Sequence, residues 1–196
     1  LLHRRIDLLL PWKERVSMAR QIAQAMNYLH VAAVIQYPPG SEIIEVGVLK
    51  LSILVENKIG STLTEPIRVK VTDFGLSRNP DAQFMTSALG TLVNSSLMQH
   101  WMAPELLLNK NYSGKIDVYS FGVVLWEICC RTTPYKEFKL PLQIMQHVTA
   151  QNGRPDMRCI NEGCPEELRS LIRTCLSSDE HKRPTFPALI EELSQL

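Results

Sequence analysis

Residues 116–131 read IDVYSFGVVLWEICCR, and this stretch decides the fold of the chain. It is apolar almost all the way round a helix, whereas a helix on a protein surface has one apolar and one polar face. We therefore expect residues 116–131 to form a buried central helix on which the other elements pack. Its most apolar part, Val118–Cys130, is too short to span a bilayer and contains Glu127.

The rest of the chain is predicted to be mainly α-helical, with a small antiparallel β-hairpin. Apolar residues at helical spacing predict a helix over Pro11–His30. Two short apolar runs, Ile53–Val55 and Arg68–Thr72, predict the strands of the hairpin. Residues 73–105 show no clean period, so we expect a long functional loop there. Amphipathic patterns predict three further helices, over about Leu140–Gln151, Pro165–Cys175 and Pro184–Leu196.

Length, charge and cysteine content limit the classes of protein to which this chain can belong. A length of 196 residues is expected to form one domain. The 21 Lys and Arg against 20 Asp and Glu argue against nucleic-acid or membrane-surface binding driven by bulk charge. The five cysteines form no CxxC pair, so we expect reduced thiols and a cytoplasmic location. Cys159-x4-Cys164 lacks a second pair of ligands and is not expected to bind a metal.

Four short motifs follow the first predicted strand in a fixed order. They are Asp73-Phe74-Gly75, Trp101-Met-Ala-Pro-Glu105, Asp117-Val-Tyr-Ser-Phe-Gly122 and His181-Lys-Arg-Pro184. Together they strongly resemble the C-terminal lobe of a eukaryotic protein kinase, and the resemblance covers essentially the whole chain. Residues 1–196 are therefore expected to be a partial protein kinase domain whose N-terminal lobe is missing, with residues 73–105 as its activation segment.

The resemblance implies ATP and Mg²⁺ as cofactors. Asp73 would hold Mg²⁺ on the ATP phosphates, since this hard cation prefers oxygen ligands. The packing of the Phe74 side chain would differ between the active and the inactive state of the kinase. Gly75 allows the backbone turn that follows. Ile53, Leu54 and Val55 resemble the apolar residues beneath the adenine. No Gly-rich loop or phosphate-pairing lysine precedes them, which puts ATP binding by this chain in doubt.

The resemblance also implies a structural set of residues. Glu105 and Arg183 would form a buried ion pair, because a buried carboxylate needs a partner and Arg offers a bidentate fork. Asp117 would brace the catalytic loop by accepting backbone hydrogen bonds. The candidate phosphorylation sites of the activation segment are Thr86, Ser87 and Thr91.

The catalytic loop departs from the family pattern. The family has an aspartate that accepts the substrate proton and an asparagine that holds a second Mg²⁺. Alignment without a gap puts Gly47 at the aspartate and Ser52 at the asparagine. Alignment on Leu49-Lys50 instead puts Val48 at the aspartate and deletes the asparagine. Both registers lose the catalytic base, although Lys50 would lie near the transferred phosphate.

Two blocks interrupt the family pattern, at residues 31–36 and 93–99. Each begins with Val and ends with Gln, as the translated edges of a short intron can. We hypothesise that both are retained introns, and a compensated frame error could explain residues 45–52.

Two functions compete for this chain. Gly90-Thr91 and the sequence DVYSFGVVLWEI at residues 117–128 resemble the tyrosine-kinase-like group of serine/threonine kinases. The first function is therefore a signalling serine/threonine kinase, present as a fragment with a degraded catalytic loop. The second is a catalytically dead pseudokinase fragment that acts as a protein-interaction module. Both imply a protein substrate or signalling partner, no nucleic acid and no membrane segment here, although missing regions could attach the full-length protein to a membrane.

Overall fold

Helices dominate the computed structural model, which describes residues 10–36, 52–55, 65–72 and 99–196. Of the helices in these ranges, none is both long and apolar enough to cross a membrane. Short 3₁₀ turns lie before the last two helices, at Met157–Cys159 and Glu180–Lys182. In chain order the other elements are α1 (Trp12–Gln36), β1 (Ser52–Val55), β2 (Val69–Thr72), α2 (Pro104–Leu107), α3 (Lys115–Cys130), α4 (Pro141–Thr149), α5 (Glu166–Cys175) and α6 (Phe186–Gln195).

Helix α3 is the buried centre of the fold, as its sequence predicts. Fourteen of its sixteen residues are buried, so it contributes apolar surface to neighbours on every side. Helix α5 packs against α3, while α1 contacts α3 on one side and α6 on another. The helix ends where Arg131 adopts a left-handed backbone with φ of 54°, and the Arg131 N–H donates to the carbonyl of Glu127 at 2.7 Å.

The small β-hairpin is also confirmed. Strands β1 and β2 pair in antiparallel fashion, with Ser52 opposite Thr72 and Val55 opposite Val69. Their bounds agree with the sequence prediction to within one residue at each end. The result is a mainly helical fold with a two-stranded sheet in the part of the chain that the structure describes.

Two elements differ from the prediction. Helix α1 does not end near His30 but continues through residues 31–36 to Gln36. That block contains neither Gly nor Pro, so it offers no signal that would stop a helix. Residues 73–105 are not irregular throughout, because α2 begins at Pro104, and proline is well suited to the first helical turn.

Gly122 is a point of close contact between α3 and the end of α5. A Cβ atom built at Gly122 would lie 2.7 Å from Cβ of Cys175 and 3.1 Å from Cδ2 of Leu176. Gly122→Ala is therefore expected to lower the free energy of unfolding by about 1–3 kcal/mol through overpacking, although alanine ordinarily favours a helix. Urea unfolding followed by far-UV circular dichroism measures the change.

Gly114→Ala is the matched control for this substitution. A Cβ atom at Gly114 would meet the ring of His30 at 3.4 Å, which is an ordinary contact. An equal loss of stability in both variants would contradict the proposed steric cause.

Candidate functional site

The ion pair between Glu105 and Arg183 is present in the structure. Arg183 donates from Nη1 to Oε1 of Glu105 at 2.6 Å and from Nη2 to Oε2 at 2.9 Å. The Arg183 side chain has no exposed surface, and the Glu105 side chain is 12% exposed. The planar guanidinium therefore meets both carboxylate oxygens at once, a geometry that lysine cannot reproduce.

The other hydrogen bonds of Arg183 reach backbone carbonyls. Nε donates to the carbonyl of Ser177 at 2.9 Å, and Nη1 donates also to that of Lys115 at 3.1 Å. In return, Nζ of Lys115 donates to the carbonyls of Arg183 at 2.6 Å and Pro184 at 3.2 Å. These contacts join α2, α3 and residues 177–184 into one unit, which we call the helical platform.

The ring of Tyr119 in α3 lies near two arginines, Arg183 of the platform and Arg154 of the segment after α4. The Cζ atom of Arg183 is 5.1 Å from the centre of the Tyr119 ring, and that of Arg154 is 5.5 Å away. Burial raises the pKa of Tyr119, although the two arginines oppose the shift. The phenol therefore stays neutral, and its ring face offers both cations a favourable contact.

Asp117 lies buried at the start of α3, where its carboxylate contacts His30 of α1. The distance from Nε2 of His30 to Oδ2 of Asp117 is 2.9 Å, and the Asp117 side chain is only 1% exposed. The His30 ring also packs edge-on against Phe186 of α6, with ring centres 5.0 Å apart. Asp117 and His30 thus connect three helices. The predicted bracing of the catalytic loop by Asp117 stays a prediction, because that loop lies outside the described residues.

The segment before α2 is anchored to α3 by two polar contacts. Nε1 of Trp101 donates to Oε2 of Glu127 at 2.7 Å, and Oγ of Ser120 donates to the carbonyl of Trp101 at 2.8 Å. Glu127 and Ser120 are both buried, so these contacts explain how an otherwise apolar helix tolerates them. Sequence reasoning missed the partners of Asp117 and Glu127, because local patterns carry no sign of contacts between distant segments.

Side chains of α1 hold the start of β2, the strand that leads directly to Asp73. Gln21 accepts a hydrogen bond from the N–H of Val69 at 3.0 Å and donates to the carbonyl of Ile67 at 2.9 Å. Glu14 accepts from the N–H of Ile67 at 3.1 Å. The last residue of the anchored strand is therefore adjacent in sequence to the predicted Mg²⁺ ligand.

Many predicted site residues lie where the structure describes no side chain. The backbone of Ile53, Leu54 and Val55 forms β1, but their side chains are not described. In the described residues, no three His, Cys, Asp or Glu side chains come together in a way that could hold a metal ion. Roles for the residues outside the described ranges stay predictions, and these are Gly47, Val48, Lys50, Asp73, Phe74, Gly75, Thr86, Ser87 and Thr91.

Comparison of the sequence with known proteins identifies one matching family model and several similar proteins. The sequence model of the family described as protein tyrosine and serine/threonine kinase matches residues 48–193. A probable serine/threonine-protein kinase of Dictyostelium discoideum is 33% identical over 180 residues, which cover 91% of this chain and 17% of that protein.

Two animal proteins are similar to the same extent. A mitogen-activated protein kinase kinase kinase of Drosophila melanogaster is 35% identical over 181 residues, covering 92% of this chain and 14% of that protein. Mitogen-activated protein kinase kinase kinase 11 of Homo sapiens is 33% identical over 181 residues, covering 92% of this chain and 19% of that protein. The chain thus spans less than a fifth of the length of each of these three relatives.

Replacement of Arg183 tests the ion pair. Arg183→Met leaves the carboxylate of Glu105 without its bidentate partner, so the free energy of unfolding is expected to fall by about 3–5 kcal/mol. Glu105→Met combined with Arg183→Met should be less destabilised than the sum of the single variants, because no charge is then stranded. Urea unfolding of the three variants measures these differences.

Arg158→Met is the control for the loss of an arginine ion pair. Arg158 pairs with Asp156 at 2.9 Å, but the two side chains are 91% and 41% exposed, so no measurable change is expected. Additive effects of the Glu105 and Arg183 substitutions would contradict the coupling that the geometry indicates.

His30→Phe tests the contact with Asp117. Phenylalanine keeps an aromatic ring against Phe186 but removes the nitrogen that contacts the buried carboxylate, so we expect a loss of about 1–3 kcal/mol of unfolding free energy. His181→Phe is the control, because His181 is exposed. Thermal and urea unfolding should separate the two variants, and equal stabilities would show that the His30–Asp117 contact contributes little.

Proposed function

The chain belongs to the protein tyrosine and serine/threonine kinase family, and from this premise we propose that it is a serine/threonine kinase of the tyrosine-kinase-like group with a degraded catalytic loop. Members of the family transfer the γ-phosphoryl group of ATP to a protein hydroxyl, with Mg²⁺ neutralising charge on the phosphates. In this chain the helical platform is present, whereas the proton acceptor of the catalytic loop is lost. The polypeptide itself is therefore proposed to transfer no phosphate.

Serine and threonine are the proposed acceptors because of the relatives. Two are named as a probable serine/threonine-protein kinase and a mitogen-activated protein kinase kinase kinase. Since the chain spans less than a fifth of these relatives, the activity and protein substrates of the whole protein are proposals. Its signalling partners and its intracellular location are proposals as well.

The observation that carries the proposal is the buried pair of Glu105 and Arg183 close to the N-terminal end of α3. Phosphoryl transfer depends mainly on positioning and electrostatics, so its scaffold must be rigid. A fully buried guanidinium persists only where its partners fit well, because a stranded charge costs several kcal/mol. The platform is thus suited to hold the end of the segment between Asp73 and Glu105 in one place.

The catalytic loop supports the loss of activity. Either Gly47 or Val48 stands at the position of the catalytic aspartate, and neither side chain can accept a proton. Proton transfer by a positioned base contributes roughly 10²–10⁴-fold to the rate of such enzymes. Lys50 could still contact a phosphate as a point charge, but it cannot replace the carboxylate in this role.

Asp73 is the residue proposed to hold Mg²⁺, which when bound would neutralise the negative charge of the ATP phosphates. A carboxylate is the right kind of ligand for this cation. The anchoring of β2 by Gln21 and Glu14 supports the choice, because Asp73 follows that strand without a spacer. Ile53–Val55 are proposed to form the apolar floor beneath the adenine, with Phe74 and Gly75 shaping the turn after Asp73.

A phosphotransfer assay tests the proposal. The purified chain, supplied with radiolabelled ATP, Mg²⁺ and a generic protein substrate, is expected to transfer no label above the background of a heat-denatured sample. The physical reason is the missing base, whose loss is expected to lower the rate of transfer by roughly 10²–10⁴-fold.

Asp73→Ala is the matched control and is expected to show the same background. Label transfer by the parent chain that Asp73→Ala abolishes would overturn the proposed inactivity. A related kinase with an intact catalytic aspartate, assayed beside it, establishes that the substrate and buffer are adequate.

A further inference from the structure

The segment after α4 and the segment after α5 form the two walls of a surface pocket with a volume of about 360 Å³. Asn152 and Arg154 line one wall, and Ser178, Asp179 and Lys182 line the other. We call this the serine pocket, because the Ser178 hydroxyl joins the two walls. Ser178 is exposed and lies in the irregular segment between α5 and the 3₁₀ turn that precedes α6. Its hydroxyl is therefore within reach of a modifying enzyme.

The guanidinium of Arg154 is held in a fixed orientation beside Ser178. Nε donates to the carbonyl of Leu176 at 2.6 Å, and Nη1 donates to those of Gly153 at 2.6 Å and Val148 at 3.4 Å. Nη2 donates to Oγ of Ser178 at 2.5 Å. Arginine carries five N–H groups, so these four hydrogen bonds leave one N–H of Nη2 without an acceptor among the described residues. That N–H is on the nitrogen that already contacts the serine oxygen.

Other polar groups of the pocket surround the same hydroxyl. Oγ of Ser178 donates to Oδ1 of Asn152. The exposed Lys182 ammonium has no ion-pair or hydrogen-bond partner in the part of the chain that the structure describes. The Asp179 carboxylate would repel an anion, but it accepts a hydrogen bond from the N–H of His181 at 3.1 Å, and the guanidinium and the ammonium outnumber it. The pocket therefore has a net positive charge.

We propose that Ser178 is a phosphorylation site whose phosphate is bound by Arg154 and Lys182. A phosphate on serine carries a charge of about −1.5 to −2 at pH 7 and three acceptor oxygens. The remaining N–H of Nη2 and the Lys182 ammonium are donors for these oxygens, and hydrogen bonds between charged groups are the strong ones. The Asn152 amide would turn to donate through its nitrogen, because the ester oxygen has no proton to give. The proposal does not rest on phosphoryl transfer by this chain.

The phosphate comes from ATP held by a separate serine kinase. Oγ of Ser178 attacks the γ-phosphorus, the bond from that phosphorus to the β–γ bridging oxygen breaks, and ADP leaves. The hydroxyl proton passes to the catalytic carboxylate of that kinase. Asp179 and Glu180 directly follow the serine, so a kinase with a basic substrate groove fits this site.

Phosphorylation of the 196-residue chain by an acidophilic serine kinase, supplied with radiolabelled ATP, tests the acceptor. Mass spectrometry of the tryptic peptide 174–182 should place the phosphate on Ser178. The neighbouring Ser177 provides the matched control, since Ser177→Ala should keep the label in this peptide and Ser178→Ala should lose it. Label in the peptide from Ser178→Ala, or its absence from the peptide of the parent chain, overturns the proposal.

Phosphorus NMR of the chain with phosphoserine incorporated at position 178 tests the pocket. Nearby cations favour the dianion of the phosphate. The second pKa of this phosphate is therefore expected to be lower in the folded chain than in the isolated peptide 174–182, where it should be about 6. Lys182→Met should return that pKa part of the way, and Arg154→Met should return it further.

Lys139→Met is the matched control for the loss of a lysine. Lys139 is exposed and does not line the pocket, so its replacement should leave the phosphate pKa unchanged. Circular dichroism checks that each variant folds, and the exposed Lys182 can be replaced even if Arg154→Met does not fold. Equal phosphate pKa values in the folded chain and the peptide overturn the proposal, as does an equal effect of Lys182→Met and Lys139→Met.

Discussion

The buried guanidinium of Arg183 is the constraint on which the rest of the structure depends. A charge without exposed surface needs close hydrogen-bond partners, and here these are Glu105 and the carbonyls of Ser177 and Lys115. These partners come from α2, α3 and the segment before α6, so the three regions can reach their places only together. The pair therefore selects one arrangement of helices among the many that would bury the same apolar surface.

The buried polar residues of helix α3 also restrict which segments can pack against the helix. An apolar helix can be covered in several ways, but in this fold Asp117 contacts His30 of α1 and Glu127 contacts the indole of Trp101. Each polar contact assigns a neighbour to one face of the helix. The apolar surface supplies most of the driving force, whereas these contacts decide which segment lies where.

The two ends of α3 have different chemistry. Its N-terminal end belongs to the helical platform, where the carbonyl of Lys115 accepts a hydrogen bond from Arg183 and Asp117 contacts His30. Its C-terminal end carries the buried thiol of Cys129, and Arg15 of α1 donates to the backbone carbonyl of the same residue. The helix connects both ends to the same core.

The sequence by itself determined the buried helix, the two strands and the pairing of Glu105 with Arg183, because periodicity and a recognisable motif order carry that information. It did not determine the end of α1, since the apolar spacing indicated an end near His30 whereas the helix continues to Gln36. Only the tertiary structure decided that His30 contacts Asp117 and that Trp101 donates to Glu127. The physical reason is that such contacts depend on how helices pack against one another, and residues distant in sequence become neighbours only after that packing is complete.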